Sequence, residues 1–143
     1  MSERGSGLID TNVVSELRKK RPDAAVIEWV NGLGADEVHL SVLTVGELCA
    51  GAARLAARGD EVAAQALKVW IEGLVEQYDD QVLPVTAGVA DRWGELNSSR
   101  PLPAVDSLLA ATALEHGLTV STRNTEDFES TGVEVFNPFS VPG

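Results

Sequence analysis

The 143-residue sequence holds one cysteine, Cys49, and two histidines, His39 and His116. A single cysteine excludes an internal disulfide, and a reducing cytoplasm is the compartment that fits. Cys49 falls in an apolar helical run and is expected to be inert core. The same scarcity excludes a zinc centre, because two histidines and one cysteine do not make the usual four-ligand set. His116 is expected at a helix end, where the dipole favours a cation, and His39 on an exposed strand face. Long hydrophobic runs are missing too. Glu, Asp, Arg or Gly interrupts each apolar stretch before it approaches the ~20 residues of a membrane span. The opening "MSERGSG" is polar and lacks the apolar stretch of a secretory signal, so residues 1–7 read as a flexible leader. Basic residues are scarce as well: 11 Lys and Arg face 22 Asp and Glu, for a net charge of −11. That balance argues against broad, non-specific binding to nucleic acid. An enzyme of this charge acting on nucleic acid needs metal ions or a local basic rim. The one basic cluster is Arg18, Lys19, Lys20 and Arg21, and a solvated helix end explains it.

What is present is a mixed composition, 44% hydrophobic and 23% charged, typical of one soluble domain over residues 1–143. The apolar periodicity predicts a strand ending at Ile9 and a helix over 11–19. A second helix begins near Pro22, carries Val26, Trp29, Val30 and Leu33, and closes at Gly34. "EVHLS" is a strand, and "TVGELCAGAARLAA" and residues 61–78 form a helical hairpin. "QVLPV" is a third strand, followed by a helix over 87–97. After the loop "SSRPLP", a helix spans Ala104 to His116, with Gly117 as its terminator. "LTVST" and "VEVFNP" are the last strands, separated by a helical turn in "NTEDF". Trp29, Trp70 and Trp93 are expected on core-facing positions. Strands alternating with helices imply an α/β fold, a three-layer α/β/α arrangement around a parallel sheet of about five strands. In such sheets ligands gather outside the carboxyl ends of the strands.

Four acids lie at those ends, and each has a structural explanation beside a functional one. Asp10 directly follows the first strand and suits an N-cap. Glu47, in the first turn of the next helix, completes a capping box with Thr44. Asp106 complements a helix dipole, and Asp127, three residues after Asn124, completes another cap. Yet a doubly wound sheet brings strand ends together, and four carboxylates gathered in one crevice repel one another unless a cation sits among them. A hard divalent ion such as Mg²⁺ or Mn²⁺ prefers oxygen ligands of this kind.

The segments "LIDTNVVSEL", "LSVLTVGELCAG", "PLPAVDSLLAATALEHGLTVSTRNTEDFE" and "GVEVFNP" resemble the successive signatures of the PIN domain, in particular VapC-type toxins of bacterial toxin–antitoxin pairs. The likeness runs from Leu8 to Pro138. It implies a Mg²⁺-dependent endoribonuclease whose acids are Asp10, Glu47, Asp106 and Asp127. Asp10 and Asp106 are then the principal metal ligands, with Glu47 and Asp127 in support. Thr11 follows the first Asp as in the family, where its hydroxyl orients a phosphate or a water. Asn124 stands where some relatives carry a carboxylate, so either it or Asp127 supplies the fourth ligand. Gly46 replaces a more usual Ala. Arg123, adjacent in sequence, is a candidate phosphate clamp, with an exposed turn residue as the plainer alternative. The resemblance further implies a homodimer and a cognate antitoxin, whose Arg or Lys would complement the acidic mouth.

Three rival readings share part of this pattern. A phosphotransferase resembling haloacid dehalogenases shares the lone Asp after the first strand but needs a second Asp where Asn12 stands. A receiver-type switch lacks an acidic pair near that strand, since Asp79-Asp80 precedes the third strand instead. A catalytically silent PIN-like binding module remains, and the presence of all four acids weighs against it.

Overall fold

The computed structural model describes residues 7–139. Five parallel strands form one sheet in the order β3-β2-β1-β4-β5. They are β1 (Gly7–Ile9), β2 (Val38–Ser41), β3 (Val82–Leu83), β4 (Thr119–Ser121) and β5 (Val135–Phe136). The helices are α1 (Thr11–Arg18), α2 (Ala24–Asn31), α3 (Val42–Ala57), α4 (Glu61–Gln77), α5 (Ala87–Leu96) and α6 (Ala104–His116). The expected α/β/α architecture is therefore present. The leader expected over 1–7 lies outside the described residues except for Gly7, which is already in β1, paired with Val38 and Thr119.

Alternation along β1 separates the two helical layers. Ile9 faces one core with Val13, Val14, Val26, Leu40, Leu48 and Ile71, which places α1 to α4 on that side. Leu8 faces the other with Leu109, Ala110, Ala113, Val120 and Phe128, beneath α6 and the turn after β4. In α6, Ala110, Ala111 and Ala113 are wholly buried. Their small side chains let that helix lie close against its neighbours. Gly117 ends it at φ +67, a left-handed conformation that an L side chain resists, and Leu118 N–H donates to Ala113 O at 2.8 Å.

Several boundaries differ from those the sequence predicts. The second helix starts at Ala24 rather than Pro22, because Asp23 Oδ1 accepts from Ala25 N–H at 2.8 Å and so caps it. It ends at Asn31, with Gly32 as its cap rather than Gly34. "QVLPV" shrinks to Val82–Leu83: Asp79–Gln81 is a 3-10 turn, and the Gln81 amide is spent on the carbonyl of Val38 at 2.6 Å. "VEVFNP" likewise contributes only Val135–Phe136 to the sheet. Cys49 is exposed, not core, since α3 turns Leu48 and Ala52 inward instead. His39 is half-buried rather than exposed; burial pushes its pKa down, against a backbone hydrogen bond at Glu37 that raises it, and the charge of His116 adds to the fall. Among the described residues no helix is long and apolar enough to cross a membrane.

Candidate active site

The chain runs outward from β1 to β2 and β3 on one side, then crosses to β4 and β5 on the other. The order reverses between β1 and β4, and a reversal of this kind opens a crevice beyond the carboxyl ends of the two strands. Asp10 N–H donates to Ser121 O at 2.9 Å, extending the pairing of β1 with β4 to the lip of that crevice. Asp10 follows β1 directly, and Thr122 follows β4.

Asp10 is 8% exposed and forms the floor. It is a cap, as one reading of the sequence required: Oδ1 accepts from Thr11 N–H at 2.7 Å. It is also more than a cap. Oδ2 accepts from Thr122 Oγ1 at 2.8 Å and, at 3.4 Å, from the amide of Asn12. Burial raises its carboxyl above the usual aspartate range. The bonds from Thr122 and Thr11 oppose that rise, and the charges of Glu47 and Asp127 add to it.

Glu47 is not in a capping box. Ser41 caps α3 through a 3.0 Å bond from Leu43 N–H to its Oγ, so the helix starts three residues earlier than Thr44 would have it. Thr44 is instead wholly buried, with its hydroxyl unpartnered. Glu47 consequently sits in the second turn, exposed, and its Oε1 accepts from Thr11 Oγ1. Thr11 thus holds two acids at once, one with its backbone and one with its side chain.

Asp106 is half-buried in the first turn of α6, which Pro103 precedes without any side-chain cap. Every cause acting on its carboxyl raises it: burial first, then the charges of Asp10, Asp127 and Glu47. Asp127 is exposed in the 3-10 segment Thr125–Thr131, where only its backbone N–H bonds to Asn124 O, at 3.0 Å. The Asn124 side chain makes no cap. Segments separated by up to 117 residues thus place four acids in one electrostatic neighbourhood. Among the described residues, however, no three His, Cys, Asp or Glu side chains close around a common point as a metal cluster. The all-oxygen donor set and the mutual repulsion suit a hard cation.

A family model described as PIN domain matches residues 7–134. The chain belongs to the PIN domain family. This PIN domain is 34% identical over 138 residues to toxin FitB of Neisseria gonorrhoeae, covering 92% of this chain and 97% of that protein. It is 33% identical to VapC ribonuclease Y4jK of Sinorhizobium fredii, over 92% and 96% of the two chains. It is 32% identical to the tRNA(fMet)-specific endonuclease VapC of Shigella flexneri, over 87% and 91%. Among solved structures, FitAcB from Neisseria gonorrhoeae superposes with a TM-score of 0.84 at 34% identity, over 92% and 97% of the chains.

Two residues that hold Asp10 of this PIN domain in place are not singled out by the sequence. Thr122 is wholly buried, and besides bonding Asp10 it accepts from the Asn12 amide at 3.2 Å and from Asn124 N–H at 3.0 Å. Asn12 in turn accepts from Arg123 N–H at 3.1 Å. The available signal was a hydroxyl and an amide flanking strand ends that were already expected to be neighbours. The Arg123 guanidinium lies 3.9 Å from the centre of the Phe139 ring, and its charge is felt by Glu16. Trp29 is core as expected. Trp93 is half-buried with its indole N–H on Ser107 Oγ at 2.9 Å, and Trp70 is half-buried against the first core.

Proposed function

We propose that this PIN domain is a divalent-metal-dependent endoribonuclease, the toxin of a toxin–antitoxin pair. The observation that carries the reading is Asp106: burial first, then the charges of Asp10, Asp127 and Glu47, raise its carboxyl, so acids from distant segments share one neighbourhood. Relatives named as VapC ribonuclease and as a tRNA-specific endonuclease support the reaction class, and the relative named toxin FitB supports the biological role.

Asp10 and Asp106 would be the principal ligands of Mg²⁺ or Mn²⁺, with Glu47 and Asp127 in support. When bound, such an ion supplies an acidified water and neutralises charge on the transferring phosphoryl group. The chain's own contribution is positioning. Thr122, Asn12 and the Thr11 N–H hold the Asp10 carboxylate in one orientation, so its order is established before substrate arrives. The Thr11 hydroxyl sets Glu47 at the rim, where it can act on a proton of the attacking water or release to the cation. The exposed Glu47 and Asp127 face solvent, so substrate and an inhibitory protein partner approach from the same side. An Arg or Lys from such a partner would neutralise the acids as the cation does.

The test is thermal melting with and without Mn²⁺ or Mg²⁺, alongside cleavage of RNA, on wild type and on Asp10→Asn. Metal at one hundred times its dissociation constant is expected to add about 2.7 kcal/mol to the folded state. The substitution is expected to remove most of that gain and to abolish cleavage. Melting indifferent to metal, with RNA cut equally by both proteins, would overturn the proposal. Metal binding without cleavage would favour a silent binding module.

A further inference from the structure

Thr11 and Arg18 are seven residues apart on α1, and Glu47 and Arg54 are seven apart on α3. Seven residues are two helical turns, so on each helix the arginine stands on the same face as the site residue, about 10 Å further along. The Thr11–Glu47 hydrogen bond ties the two helices together at the upper end. All four residues line one open groove of about 430 Å³, with Leu48, Leu67 and Trp70 of the helical hairpin along its wall. Among the described residues neither guanidinium joins an ion pair or hydrogen bond, whereas Lys19, which also lines the groove, is paired with Glu16 at 2.8 Å. In a chain of net charge −11, the groove that Glu47 lines thus also carries two arginines without an ion pair among the described residues.

Resting on the nuclease reading above, we infer that this groove is a phosphate-binding subsite which carries single-stranded RNA away from the acids. Arg18 and Arg54 contact the backbone phosphates downstream or upstream of the scissile one. The exposed part of Trp70 offers a face on which a base can rest. The arrangement resolves the difficulty raised by the net charge: attraction is confined to a strand threaded along α1 and α3, while the rest of the surface repels RNA.

The probe is a fluorescein-labelled single-stranded RNA of about 12 nucleotides, titrated by anisotropy at several salt concentrations. Asp10→Asn is the background, so that the RNA stays intact. Arg18→Ala and Arg54→Ala are each expected to weaken binding and to lower the slope of log K against log salt by about 0.7. Lys68→Ala, on a separate groove of the same hairpin, is expected to leave the slope unchanged. Equal slopes for all variants would overturn the subsite. A loss of poly-glutamate binding without loss of RNA binding would assign the groove to an acidic protein segment and overturn it equally. Cleavage by the otherwise wild-type protein separates the two readings. If it cuts RNA while the arginine variants bind normally, only the subsite falls; if it does not cut but binding depends on the arginines, only the nuclease reading falls.

Discussion

Thr122 donates its hydroxyl proton to Asp10 Oδ2 at 2.8 Å, across 112 residues of sequence, with neither residue meaningfully exposed to solvent. The bond joins the end of β4 to the end of β1 and opposes the burial that raises the Asp10 carboxyl. Thr122→Val keeps the shape and removes the donor. It is expected to cost about 1–3 kcal/mol in urea unfolding at neutral pH, and to reduce the thermal shift that Mn²⁺ produces. Thr122→Ser should restore both. An unchanged metal shift in the Val variant would show that this bond does not orient Asp10.

Asp10 has two separable roles, and two substitutions divide them. Asp10→Ala removes the acceptor of the Thr11 N–H and is expected to destabilise the protein by about 0.5–2 kcal/mol. Asp10→Asn keeps a cap while removing a buried charge that Glu47 and Asp127 oppose. Without metal it should be at least as stable as wild type. Denaturation midpoints of the two variants side by side decide the matter.

Raised carboxyls also set the pH dependence. The folded forms of Asp10 and Asp106 hold their protons more tightly than the unfolded chain does. Folded stability therefore falls as pH rises from the ordinary aspartate value through their raised values, and the penalty is complete above them. Glu16 has the opposite sign: the bond from Lys19 first, then that from Asp23 N–H, lower its carboxyl, so its contribution is present above the ordinary glutamate value and lost as pH falls below it. In metal-free buffer the melting temperature is expected to rise as pH drops through the raised values towards the ordinary aspartate value, before general acid unfolding takes over. Asp106→Asn should flatten that rise. A wild-type profile that is level over the same interval would contradict the shared repulsion.

Phe128, 1% exposed under α6, anchors the 3-10 segment that presents Asp127. Phe128→Ala is expected to cost about 3–5 kcal/mol. Since the turn also loses its anchor, metal affinity should drop along with stability, measured by calorimetry under conditions where the variant remains folded. A stability loss with metal affinity intact would mean that Asp127 stands outside the metal's reach.

The order of elements and the position of Asp10 directly after the first strand were legible in the sequence, because apolar periodicity and cap chemistry act over a few residues. Asp10 shows how far this reaches: its cap was readable, and the bond from Thr122 was not. Glu47 shows where local reasoning fails. The sequence pointed to Thr44 as the cap, but the pairing of Ser41 with Leu83 kept β2 extended only to Ser41, so α3 began there and left Glu47 to bond with Thr11. Which side of α3 met the core was settled by packing against α4 and the sheet, and that exposed Cys49. By itself the sequence determined the α/β class, the succession of elements and the position of Asp10 after the first strand, all set by neighbours along the chain. Only the tertiary structure decided which groups hold Asp10 and Glu47 and that Arg18 and Arg54 share a groove with Glu47, because contacts between distant segments depend on sheet order and helix rotation, which no local pattern encodes.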